Sequence, residues 1–105
     1  MEIIKLEEVK GKINPRGVES AVVLKHEDAT ITKIMLNQDD VLGKHKVPVN
    51  VFFYVVKGKG TIGIGDEESV VTENQIIVCP KNTMMTLKAD QGENFEVINV
   101  KTPSL

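Results

Sequence analysis

The sequence has no tryptophan, only four aromatic residues and a single cysteine, Cys79. So few rings leave little to stack on nucleobases, and one thiol excludes both an internal disulfide and any CxxC zinc cluster. An excess of charge is also missing: 13 basic against 15 acidic residues give a formal charge of −2 and a pI near 5.7. Without a basic stripe to neutralise phosphates, nucleic acid is not an expected partner. No apolar run approaches the ~20 residues that cross a bilayer. The stretch from Met1 to Lys12 is charged and alternating, unlike a secretory leader. A lone thiol agrees with a reducing compartment, so the expected location is the cytoplasm, with no membrane partner.

Leucine and alanine are scarce as well, six and three residues against 15 Val and ten Ile. β-branched side chains suit a pleated strand better than a helix, so the composition predicts an all-β domain. With 105 residues and 11.6 kDa there is enough chain for one core, which excludes separate cofactor and substrate domains. At 41% hydrophobic and 27% charged residues, a globular domain is indicated rather than disorder.

Short β-type runs separated by turn residues fill the chain from Ser20 to Lys101. They predict strands over Ser20–His26, Ala29–Leu36, Lys44–Pro48, Val51–Lys57, Gly60–Gly65, Ser69–Thr72, Gln75–Cys79, Thr83–Ala89 and Phe95–Lys101. Only Met1–Lys10 leaves room for a helix. The domain reading is therefore an N-terminal segment, residues 1–19, packed on a β-barrel of residues 20–105 or on a partner copy. Val51 to Val56 is apolar at every position, so both faces of that strand need cover. One face can fill a barrel. The other, with Phe52, Tyr54 and Val56, calls for a second copy of the chain or for the segment Met1–Ile13 folding back. A homodimer is the expectation.

Three segments carry a resemblance. They are His45-Lys46-Val47, the run Val51 to Gly60 ending in Gly58-Lys59-Gly60, and Val78-Cys79-Pro80-Lys81-Asn82. In pattern and spacing they resemble the small single-domain cupins, whose fold is a double-stranded β-helix or jelly-roll barrel. Aligned on Gly58 and Pro80, the glycine positions of the two cupin motifs fall on Asp39, Gly58, Asn74 and Asn82. Asn is the non-glycine residue that best tolerates a left-handed backbone, so the turns can be kept. The metal-ligand positions fare differently. Of the three His and one Glu the resemblance implies, only His45 is present; Val47, Val51 and Met85 occupy the others. A catalytic coordination sphere needs about three protein ligands, so no metal and no other cofactor is expected.

What remains is a small-molecule ligand held in the barrel by His45, Val47, Val51, Tyr54 and Met85, in a binding or sensing protein rather than a metalloenzyme. His45 would anchor a polar ligand, while the three apolar replacements would make the cavity dry. Two alternatives keep some chemistry. His45 could act as acid/base in a metal-independent isomerase or epimerase acting on a sugar or small acid, with Tyr54, Lys44 or Lys88 as its partner. Or Met84, Met85, Cys79 and His45 could form an unusual soft-donor metal site, although adjacent Met84 and Met85 must point to opposite faces of a strand. Ser20 and Ser69 lack a His/Asp context for nucleophilic catalysis, and no helix follows the Gly58–Gly65 run to make a phosphate loop.

Overall fold

The computed structural model describes residues 1–105, and the β-branched runs form nine strands. These are β1 (Lys12–Ile13), β2 (Glu19–His26), β3 (Ala29–Leu36), β4 (Val41–His45), β5 (Asn50–Ile64), β6 (Glu67–Thr72), β7 (Ile76–Cys79), β8 (Met85–Ala89) and β9 (Phe95–Thr102). All pairings are antiparallel. One sheet runs β1-β2-β3-β9-β5-β7 and the other β4-β8-β5-β6, so β5 belongs to both.

That shared strand is the main departure from the pattern-based expectation, which divided it into Val51–Lys57 and Gly60–Gly65. The ladder continues through the glycines because Gly58 takes φ +83°, where a Cβ would collide with the carbonyl oxygen of Asn94. The strand bends from one sheet into the other without ending. A second departure is β4, which pairs over Val41–His45 rather than Lys44–Pro48. Pro48 has no N–H to give a ladder, and pairing stops before it. Met1–Lys10 contains no α-helix, only a single 3₁₀ turn at Leu6–Glu8.

Alternation along β5 sends Val51, Phe53 and Val55 inward, where they meet Ile34 and Leu36 of β3, Phe95 and Val97 of β9, and Met85, Leu87 and Ala89 of β8. This one cluster of 15 buried apolar residues is the core between the sheets. Each large side chain in it contributes roughly 1.5–3 kcal/mol of burial. Its outer counterpart carries Phe52 and Tyr54, in direct register with Val78 and Ile76 of β7 and with Val100 and Ile98 of β9. The N-terminal segment covers part of that face. Lys33 Nζ, buried on β3 opposite Ile98, donates to the carbonyls of Leu6 (2.9 Å) and Val9 (3.4 Å) and lies 3.8 Å from the Glu96 carboxylate. The β7 end stays uncovered, with Ile76 and Val78 62% and 69% exposed.

Three non-glycine residues have positive φ: Asp39 (69°), Asn74 (69°) and Asn82 (60°). All three stand where the motif alignment places glycines. At Asn82 the turn is closed by its N–H donating to the Val47 carbonyl at 2.8 Å.

Candidate functional site

His45 ends β4 and is the cross-strand partner of Met85 on β8, which in turn faces Ile64 on β5. Its ring is half-buried, and Nδ1 lies 3.1 Å from the Gly43 carbonyl. A carbonyl can only accept, so that contact places the proton on Nδ1 and leaves Nε2 as the free lone pair. Burial holds the imidazole pKa below its ordinary value. The Gly43 bond opposes this shift, and the positive charges of Arg16 and Lys101 add to it. Val47 follows in the β4–β5 connection and packs against the core. Val51 and Met85 are each 1% exposed and belong to the packed core, Met85 directly across from His45. Of the five expected contact residues, His45 and Met85 meet across β4 and β8, and Val47 and Val51 share the core packing to which Met85 belongs.

Tyr54 is the exception. Its neighbours Phe53 and Val55 take the inward positions, so the phenol projects from the outer face and donates to Asn74 Oδ1 at 2.5 Å. Nor do the other expected partners of His45 reach it: Lys44 is exposed, and Lys88 stands in a row with Thr61 and exposed Val41 on the outside of the second sheet.

The groups that do face the site come from β9, which the sequence reading did not single out. Phe95, Val97, Asn99 and Lys101 share the inward face of that strand, opposite Gly58, Val55, Phe53 and Val51 of β5 respectively. Two polar side chains therefore occupy positions whose parity is that of the core. Asn99 is 3% exposed and its Oδ1 has no hydrogen-bond partner. Lys101, half-buried beside Val51 and Thr30, has its pKa pulled below the usual lysine value by burial. No carboxylate pairs with it; the salt bridge of the fold is Lys33–Glu96. Arg16 is exposed in the β1–β2 loop, where Asn14 Oδ1 accepts from the Arg16 and Val18 backbone N–H groups at 2.9 and 3.1 Å. The signal for Asn99 and Lys101 was present as a break in alternation: counting by twos from Phe95 and Val97 reaches them.

The donor set does not fit a metal. One imidazole, two valines and a thioether cannot complete a first-row N/O coordination sphere, and no three His, Cys, Asp or Glu side chains of the fold come together. The soft-donor alternative is also divided, since Met84 is partly exposed while Met85 is buried in the core. The principal surface clefts lie elsewhere. One of about 430 Å³ is lined by Phe52, Ile76, Val78 and Pro80 on the outer face, and another of about 430 Å³ by Leu6, Lys33 and Glu96 beside the N-terminal segment.

No protein-family model matches this sequence, and no curated protein matches it. Solved structures do. KdgF from Halomonas sp. superposes with a TM-score of 0.86 at 18% identity, over 99% of this chain and 96% of that one. The polyketide cyclase RemF from Streptomyces resistomycificus gives 0.86 at 13% identity, covering 99% and 80%. An RmlC-like cupin from Shewanella frigidimarina gives 0.85 at 14% identity, covering 99% and 93%. Nearly complete coverage in both directions, together with the two-sheet topology, gives this chain the double-stranded β-helix fold of the cupins.

Proposed function

We propose that the chain is a metal-free small-molecule binding or sensing module that holds its ligand at the His45 end of the barrel. The observation that carries this reading is the contrast between scaffold and site. The left-handed turns at Asp39, Asn74 and Asn82 are kept, while His45 faces Met85 of an apolar core that includes Val51. Because that core is packed, the ligand would rest on it at the mouth of the barrel, with Val47 alongside. Thermal-shift and calorimetric screening against sugars, small acids and apolar metabolites tests the reading. Binding abolished by His45→Ala supports it; no stabilisation by any compound class overturns it.

A second reading has a specific observation behind it. Burial keeps His45 neutral near neutral pH with Nε2 unprotonated, the state a general base requires. A metal-independent isomerase or epimerase acting on a sugar or small acid would use it so, and the polyketide cyclase RemF is an enzyme on a similar fold. Turnover that survives His45→Ala would remove this option. Stoichiometric metal in the purified protein, lost on the same substitution, would instead favour an unusual metal site.

The working form would be a homodimer built on the outer face of the first sheet. Strand β7 pairs only with β5 and displays Ile76 and Val78 beside its free edge, so a second copy could both cover the apolar row and satisfy the edge. The free, buried Cys79 suits a cytoplasmic setting.

A further inference from the structure

We infer that the ligand of the His45 site is a small carboxylic acid with a hydrocarbon body, its carboxylate taken by Lys101 and a neutral polar group taken by the Asn99 carboxamide. This rests on the reading of the barrel mouth as a ligand site and adds the chemical class.

Three observations carry it. Asn99, on the inward face of β9, is buried and its Oδ1 has no hydrogen-bond partner. An unpaired buried polar group costs roughly 1–3 kcal/mol, a cost a fold tolerates where something else supplies the missing bond. Lys101 stands one pleat further along the same face, about 6–7 Å on, between Thr30 and Val51 and with no acid beside it. A half-buried cation left without a counterion is the electrostatic complement of an anion. Lys101, together with Arg16, an exposed cation of the β1–β2 loop, also adds positive charge that disfavours the His45 imidazolium. The rest of the surroundings are apolar: Met85 across from His45, with Val51 and Val47 in the core packing. Charge at one side and hydrocarbon at the other describe a short-chain or aromatic carboxylic acid better than a sugar, which would need many hydroxyl partners, or inorganic phosphate, which would gain nothing from the valines.

The test compares 3-hydroxybutyrate and 4-hydroxybenzoate with their neutral isosteres 3-hydroxybutyramide and 4-hydroxybenzamide, and with inorganic phosphate, by calorimetry and by amide NMR of the full chain. The carboxylates should bind, shift the Asn99 side-chain amide resonances, and lose roughly ten- to a hundred-fold in affinity in Lys101→Met. Lys101→Gln serves as a second variant should the first alter the fold. Amides binding as well as acids, or affinity unchanged in both variants, would overturn the inference. If the amides bind and His45→Ala removes them, the ligand site stands and only the anion class falls. If none of the five compounds perturbs His45 or Asn99, the acid class and the barrel-mouth reading fall together.

Discussion

His45 and Met85 are direct ladder partners, an imidazole set against a thioether across β4 and β8. In the cupin alignment both stand at ligand positions, with Val47 and Val51 completing the set. Purified protein should therefore hold no stoichiometric first-row metal. The triple substitution Val47→His, Val51→Glu, Met85→His should rebuild a site, and its thermodynamics should reveal it. A glutamate at the 1%-exposed position 51 buries a charge, so without metal the variant should melt well below the parent. Added Mn²⁺ or Ni²⁺ should raise its Tm again, because ligation supplies the missing counter-charge. Thermal unfolding with and without metal checks this; a variant indifferent to metal would show that the four positions do not converge.

Asn99 makes the opposite prediction about stability. Replacing it with Leu removes a buried Oδ1 that has no partner and leaves a side chain of similar length among Phe53, Val97 and Thr32. The variant should be more stable by about 1 kcal/mol in urea unfolding, while losing carboxylate binding. A loss of more than about 1 kcal/mol would mean that the amide bonds within the fold after all.

These two residues also mark where sequence reading stopped. The β-branched excess, the turn residues and the Gly58 and Pro80 spacings were enough for the all-β barrel, because strand pairing follows local alternation and glycine-like turns. They picked out His45 and Met85, which pair across β4 and β8, and Val47 and Val51, which join the core packing. They offer Tyr54 both as a ligand contact and, with Phe52 and Val56, as part of the outer face, and the inward turn of Phe53 and Val55 decides for the outer face. They overlooked Lys101, because a lysine in a sequence looks solvated until a partner strand puts it on an inward face. The long β5 was divided at Gly58 for a similar reason: a glycine that ends a strand and one that bends it are identical in sequence.

Asn82 allows the turns to be tested one at a time. With φ at 60° and its N–H bonded to the Val47 carbonyl, it shapes the connection that holds Val47. Asn82→Ala keeps the Cβ in the left-handed region but removes the side-chain amide that lets Asn tolerate it, and should cost about 1 kcal/mol. Asn82→Gly keeps the backbone bond and relieves the strain, so it should be neutral or slightly stabilising. Chemical denaturation of both variants separates the cases; equal losses would indicate that the side chain, not the backbone conformation, matters at this turn.

The pH dependence of stability follows from His45. Folding lowers its pKa beneath the ordinary 6.5, chiefly by burial, so below that pH the unfolded chain binds a proton that the folded chain resists. The contribution of His45 is complete above about pH 6.5 and is lost as pH falls from there through the folded-state value. His45→Gln should flatten the stability profile over that window and leave the profile above pH 7.5 parallel to the parent. Superimposable slopes for parent and variant between pH 7 and 5 would contradict the burial of the ring. A bound carboxylate favours the imidazolium and so raises the folded-state pKa back toward 6.5, and saturating 4-hydroxybenzoate should therefore shrink the parent's loss of stability between pH 7 and 5.

The exposed row on β7 decides the oligomeric state. Ile76 and Val78 lie beside Tyr54 and Phe52 in register, and together with the cleft of about 430 Å³ that reaches Pro80 they form the apolar part of the outer face left open by the N-terminal segment. A stable dimer needs about 800 Å² from each partner, which this row supplies only if the sheets of two copies meet face to face or edge to edge along β7. Light scattering at micromolar concentration should give twice the 11.6 kDa chain mass, and Ile76→Lys with Val78→Lys should return it to the single-chain value. Both side chains are mostly exposed within one chain, so the substitutions should leave the intrinsic stability of the barrel within about 0.5 kcal/mol of the parent. A parent that is already monomeric at high concentration would leave the N-terminal segment as the only cover this face has.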